Sequence, residues 1–474
     1  MNDWFEYILF QMRAQPQRPA IVLMDRVITY GMLASGMEHC AHRLSELNLG
    51  GDDVVAITVR SPVRQMILSL ALLRIGIAST VLDPALTDQM KVAVLLSDGS
   101  ASAQPAAARR ALVVTDDWFV TSPPGARVQP AGFPGAHSVC RVSLTSGSTG
   151  APKVVAETVA SLGARLLNFD RLAVADSRGV LSQFNLSMTF GLVIGCTVLV
   201  TGGTLYFADS SGQAASMIEL FNIDAAVLST EHLLALAATV RRTGVRLTSL
   251  RRVISGGTVP SRTLLEAAAA HVCNDILCWY GATEAGAIAC IAVADVIANP
   301  GLVGFVMPGI EVAIFEGDQQ LPAGRVGAVK IRHRIDAPQG TPTLSWIDLG
   351  DRGWRDDSGR LYMVGRIAET VAGSLGISPV HEAEHILRLE FDMDDAAVAE
   401  MPDPSGGEPQ LWIGVVNNRD ATSVKVQAAL ARQGVSYAIR LFDLQFVPRG
   451  INGKIHRDQL KVALLMRSPA VTSP

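Results

Sequence analysis

The chain has 474 residues, 49% of them hydrophobic and 18% charged, with a formal net charge of −4. That length exceeds one ordinary compact domain and predicts two or three domains, or a large α/β body with a smaller companion. The apolar, Ala-rich composition predicts an enzyme-like globular chain with a large core, and the slightly acidic balance argues against a nucleic-acid partner.

The opening "MNDWFEYILFQMR" carries acidic residues early and no apolar signal-peptide core, so a cytoplasmic location is expected. "DVVAITVR" predicts a strand, "SPVRQMILSLALLRIG" a helix and "ASTVLD" a second strand. "DGSASAQPAAARRA" and "SPPGARVQPAGFPGA", rich in Ala, Pro, Gly and Ser, read as surface connections. A strand over "CRVSL" then runs into "SLTSGSTGAPKVV", residues 143–155. "TFGLVIGCTVLVTGG" is too short and too rich in glycine to span a bilayer, and reads as a buried helix entering a strand.

"DAAVLS" with "TEHLLALAATVRRTG", then "LRRVIS" with "SRTLLEAAAAHV", repeat the strand–helix order and predict parallel sheets covered by helices. From about Gly301 the texture becomes short β runs, "VGFVM", "EVAIF" and "GAVKIR", as in a small barrel or sheet. "DDSGRLYMVGR" reads as a hairpin turning at Asp357-Ser358-Gly359. A last α/β region of about a hundred residues follows Gly365-Arg366, long enough for its own core. Cys40, Cys140, Cys196, Cys273, Cys278 and Cys290 form no CxxC pair, which predicts buried, reduced thiols.

The Ser143–Val155 stretch lacks both Walker and GxGxxG spacing. Its composition fits either a flexible Ser/Gly turn or a phosphate clamp. In a clamp, glycines let backbone N–H groups approach an oxyanion, hydroxyls donate and Lys153 adds a point charge. Lysines are few, and two of them, Lys153 and Lys454, follow the Gly/Pro-rich stretches "GSTGAP" and "PRGING". Lysine suits a moving phosphate as a compact, mobile charge.

"LTSGSTGAPK" resembles the phosphate loop of the adenylate-forming superfamily: acyl- and aryl-CoA ligases, peptide-synthetase adenylation domains and luciferases. Further segments match that family in order. They are "PAIVLMDRVITYGML", "FNLSMTFG", "ISGGTVP", "YGATEAG", "WIDLGDRGW", "LYMVGR" and "VPRGINGKIHRDQL". The resemblance covers nearly the whole chain. It implies a large N-terminal domain, residues 1–365, of parallel-sheet α/β subdomains plus a small β-barrel-like subdomain. A small, mobile α+β C-terminal domain, residues 366–474, would carry a catalytic lysine.

The resemblance also implies roles. Thr145, Ser146, Gly147, Ser148, Thr149, Gly150 and Lys153 would hold the β- and γ-phosphates of ATP. Thr283 would bond the α-phosphate, and Glu284 would help bind Mg2+, a cation that prefers oxygen ligands. Tyr280, with Gly281 after it, would lie beside adenine, and Gly256-Gly257 would let the backbone approach it. Asp351 would accept from the ribose hydroxyls and Arg366 would reach the same region. Lys454 would bridge carboxylate and α-phosphate. Phe184, Asn185, Leu186, Met188 and Phe190 would belong to the acid pocket.

Three departures refine the expectation. Asn185 stands where amino-acid-activating members carry Asp, so an ammonium-bearing substrate lacks its counter-ion and an uncharged acid is expected. Leu349 replaces a usual Thr before Gly350-Asp351. The hinge segment "GRIAETVAGSLGISP" is one residue short, with Ala368 at the usual pivot and Ala372 at a usual lysine associated with the second half-reaction. The expected activity is ATP-dependent acid activation followed by transfer to coenzyme A. A carrier-protein phosphopantetheine as acceptor, release of the acyl-adenylate, and a non-catalytic nucleotide-binding homologue are the alternatives.

Overall fold

The computed structural model describes residues 3–80, 92–99, 108–119, 132–145, 153–170, 174, 176–333, 346–366, 379–403, 407–449 and 455–467. Three sheets organise these residues. One has six strands, one fourteen and one three.

In the six-stranded sheet, strands Ala108–Val113, Val92–Ser97, Val54–Thr58, Ala78–Thr80 and Val139–Thr145 run parallel in that spatial order. Lys153–Thr158 closes the edge antiparallel to Val139–Thr145. Helices begin where the sequence supplies caps. Ser61 accepts from Arg64 N ahead of Pro62, and Thr158 and Ser161 form a reciprocal capping box. The strand Ala108–Val113 corrects the reading of "DGSASAQPAAARRA" as wholly a surface connection. Its residues are mostly exposed at a sheet edge, so no burial pattern marked it.

One end of the fourteen-stranded sheet is Arg26–Thr29, antiparallel to Pro19–Leu23, after which Pro19–Leu23, Thr204–Tyr206, Gly179–Ser182, Ala225–Ser229, Arg252–Gly256 and Ile276–Ala282 run parallel in that order. Helix Thr189–Val200 runs into it with most of its residues buried, as its unbroken apolar sequence predicts. Antiparallel strands then continue from Ile276–Ala282 through Gly286–Ala292, Leu302–Val306 and Leu361–Arg366 to Ile347–Arg355. The barrel-like portion is therefore an extension of the same sheet. Register shifts fall at Tyr280/Gly281, Leu302/Gly304 and Arg352/Gly353.

The C-terminal sheet, Asp395–Met401, Gln410–Val416 and Ala438–Leu444, has its own apolar clusters with helices Pro379–Glu390, Ser423–Arg432 and Arg457–Leu465. This is the α/β arrangement of a large N-terminal and a small C-terminal domain. Helix Pro379–Glu390 meets helices Thr230–Thr243 and Arg262–His271. There Glu231 accepts from Arg388 at 2.6 Å and Arg449 at 3.0 Å, and His385 Nδ1 accepts from Ser261 N at 3.3 Å. All six cysteines are free, and burial pushes the Cys140, Cys196 and Cys278 thiols up to about 12. No described helix is long and apolar enough to cross a membrane.

Candidate active site

Strand Ile276–Ala282 carries the centre of the site. Successive side chains on a strand point to opposite faces, so Trp279 and Tyr280 serve different neighbours. Tyr280 donates its hydroxyl to Asp351 Oδ2 at 2.7 Å, joining two motif residues 71 positions apart. Asp351 is buried. Its strand partner in register is Arg366.

The glycines beside Tyr280 have local reasons. A Cβ on Gly256 would stand 2.6 Å from Trp279 O on the neighbouring strand, so close strand approach excludes any larger residue. Gly257 has φ +107 and open space where a side chain would point. Gly281 lies against Gly286 O, 2.4 Å from where its Cβ would be.

Thr283 and Glu284 occupy the turn between strands Ile276–Ala282 and Gly286–Ala292. Two residues outside every motif hold this turn. Arg165, on helix Val159–Phe169, donates through Nη2 to Thr283 O at 2.9 Å and to Glu157. Glu157 Oε2 also accepts from Ser161 Oγ at 2.8 Å. Burial lowers the Arg165 pKa, and the Glu157 and Glu284 carboxylates oppose that shift. The signal in the sequence is the polar series Glu157, Ser161, Arg165 at four-residue spacing across an otherwise apolar segment.

On the other face, Trp279 joins an aromatic group. Phe169 lies edge-on to Trp279 with centroids 5.2 Å apart, and Phe190 is 5.8 Å from both rings. Phe184 meets Phe190 edge-on at 4.9 Å. A cavity opens among Phe169, Phe190, Trp279, Arg165, Asn168 and the small residues 285–287. Of the five pocket residues expected from sequence, Phe190 lines this cavity. Leu186 and Phe184 belong to the buried core, with Met188 packed against it. Asn185 is exposed and its Oδ1 accepts from Ser187 N at 2.9 Å, stabilising its own turn.

A second unforeseen arginine ties the pocket segment to the phosphate-loop strand. Arg141 is fully buried, and its guanidinium donates to Ser79 Oγ at 3.1 Å and to Ser187 O. Burial pulls its pKa down to about 10. Four pairs further along the same ladder, Thr145 stands opposite Lys153 in register, so the segment between them links two paired strand ends. Ser146, Gly147, Ser148, Thr149 and Gly150 lie outside the described residues, as do Ala368, Ala372 and Lys454. Among the described residues, no three His, Cys, Asp or Glu side chains converge as a metal cluster.

The model of the AMP-binding enzyme family matches residues 10–335. Over 503 aligned positions the chain is 24% identical to 4-chlorobenzoate–CoA ligase from an Arthrobacter species, covering 97% of this chain and 95% of that one. It is 27% identical to 4-coumarate–CoA ligase 3 of Oryza sativa subsp. japonica over 278 residues, 54% of this chain and half the length of that relative. Among solved structures, the anthranilate CoA ligase AuaEII bound to anthranoyl-AMP superposes with TM-score 0.79 at 18% identity, covering 97% of each chain. The amide bond synthetase McbA from Marinactinospora thermotolerans gives 0.72 at 20% identity, covering 97% of this chain and 99% of that one. These structural likenesses establish the fold.

Proposed function

Because the chain belongs to the AMP-binding enzyme family of the adenylate-forming superfamily, we propose that it activates a non-amino-acid carboxylic acid with ATP and transfers the acyl group to the thiol of coenzyme A. The observation that carries this reading is the Tyr280–Asp351 hydrogen bond at 2.7 Å, beside the Thr283-Glu284 turn. It joins two separately encoded motifs, residues 280–286 and 346–354, whose strands are not neighbours in the sheet.

In the first step a carboxylate oxygen bonds to the α-phosphorus of ATP and pyrophosphate leaves. In the second, a thiolate sulfur bonds to the acyl carbon and AMP leaves. Such displacements need positioning and charge neutralisation more than covalent help from the protein. Lys153 and the Thr145–Gly150 loop would hold the terminal phosphates, and Thr283 the α-phosphate. Tyr280 and Gly256-Gly257 would flank adenine, while Asp351 and Arg366 would hold the ribose. Mg2+ would neutralise phosphate charge. With Glu284 as its protein carboxylate, phosphate oxygens and water would supply its other ligands, as suits this cation. Lys454 would meet the reacting carboxylate, delivered by a C-terminal domain beginning at residue 366.

In this reading the acid enters the aromatic cavity beside Trp279. Its apolar walls favour a ring or short chain without an ammonium group, and the CoA ligase relatives named above act on aromatic acids. The test is acid-dependent exchange of labelled pyrophosphate into ATP across a panel of aromatic and aliphatic acids, followed by addition of coenzyme A. Exchange with thioester formation is the expected result. Exchange without thioester formation would overturn coenzyme A as acceptor and turn attention to a carrier-protein phosphopantetheine or an amine. No exchange with any acid would favour a nucleotide-binding homologue without catalysis.

A further inference from the structure

The cavity has one polar edge, and we propose that Arg165, with Asn168, selects an aromatic carboxylic acid bearing a neutral hydrogen-bond acceptor on its ring. The proposal rests on the reading that this cavity receives the acid. Its walls are largely aromatic. Phe169 and Trp279 stand at 90° to one another, Phe190 is tilted 38° from Trp279, and residues 285–287 contribute little side chain. A purely apolar slot would need no charged residue, yet Arg165 lines this one with a side-chain exposure of 14%.

Arginine has five N–H donors in a fixed plane. The Arg165 hydrogen bonds to Glu157 and Thr283 O both leave from Nη2. Among the described residues, Nε and Nη1 donate to nothing, and the Asn168 amide has no protein partner either. Nη1 lies 3.4 Å from the point where a Cβ on Gly286 would stand, so glycine at that position keeps the guanidinium edge uncovered. Donors left unpaired in a closing, ring-filled pocket are costly, and an acceptor on the substrate removes that cost.

The existing ion pair decides which acceptor. Glu157 already pairs with Arg165. A second substrate carboxylate would have to compete with Glu157 for the same guanidinium charge. A hydroxyl, methoxy or carbonyl oxygen would accept from the remaining N–H groups without that competition.

The test measures binding by calorimetry, using sulfamoyl-adenosine analogues of the acyl-adenylate. The acyl groups are benzoyl, the three hydroxybenzoyls, the methoxybenzoyls and carboxybenzoyl. At least one oxygenated ring is expected to bind about tenfold more tightly than benzoyl. Arg165→Met should bring that ratio to within about twofold, and Arg165→Lys should keep part of it. A merely structural role for Arg165 would weaken all analogues alike and leave the ratio intact. If Arg165→Met does not fold, Asn168→Leu provides the second reading, with an expected loss of about threefold in the ratio. The proposal is overturned if no oxygenated ring exceeds benzoyl by more than about twofold, if the ratio survives the variants, if carboxybenzoyl binds most tightly, or if no analogue binds. Because binding needs no turnover, a protein that discriminates among analogues yet exchanges no pyrophosphate would refute the catalytic reading and leave this one standing.

Discussion

Trp279 and Tyr280 are neighbours on one strand, yet the two faces they serve are built by different chemistry. On the Tyr280 side, a hydroxyl, a carboxylate and close-approaching glycines make a site from short polar groups and backbone. On the Trp279 side, aromatic rings surround a cavity whose one charged side chain is paired to a buried glutamate. The first face is set by backbone approach and by the Tyr280–Asp351 hydrogen bond. The second is set by packing, and its polar character depends on an ion pair that costs desolvation wherever it is incomplete.

The largest expected effect strikes the second face. Glu157→Ala leaves Arg165 partly buried without its carboxylate and should destabilise the fold by about 3–5 kcal/mol, measured by denaturant unfolding. A loss under about 1 kcal/mol would mean that the two faces are held alike. Lys454→Ala should follow, lowering pyrophosphate exchange roughly 10²–10³-fold while calorimetric ATP binding persists. Near-normal exchange would remove that lysine from the reaction. Tyr280→Phe removes the hydrogen bond to Asp351 and should raise the KM for ATP about threefold to tenfold, with acid selectivity unchanged. A changed acid preference would break the separation between the faces. Asn185→Ala is the smallest, a loss of about 0.5–1 kcal/mol in stability without a change in acid preference. A shifted preference there would return Asn185 to the pocket.

The difference between the faces also explains what the sequence disclosed. Motif residues such as Tyr280 and Asp351 were legible because fixed letters at fixed order carried them, and the structure brings that pair together. The parallel strands were legible as apolar runs ended by helix caps. Ala108–Val113 was not, since an exposed edge strand needs no apolar pattern. Arg165 and Glu157 were missed because their pairing depends on a strand-to-helix junction folding around Thr158 and Ser161. Asn185 is expected in the acid pocket from its place in the motif, and the hydrogen bond its side-chain oxygen accepts within its own turn becomes visible only in the folded chain. Glu231, Arg388 and Arg449 belong to no motif, and only the approach of distant helices brings them together.

The path from Tyr280 to Asp351 through the sheet has one further consequence. Their strands are separated by three others, four ladder steps in all. In a flat sheet, steps of about 4.8 Å would set the two backbones about 19 Å apart, beyond a tyrosine's reach. The 2.7 Å hydrogen bond therefore measures curvature: the sheet has to curl until its fifth strand faces its first. Irregular pairing at Tyr280/Gly281, Leu302/Gly304 and Arg352/Gly353 supplies bends along that path. The span between these two side chains is thus a property of the whole arc, sensitive to a bulge straightened far from either residue.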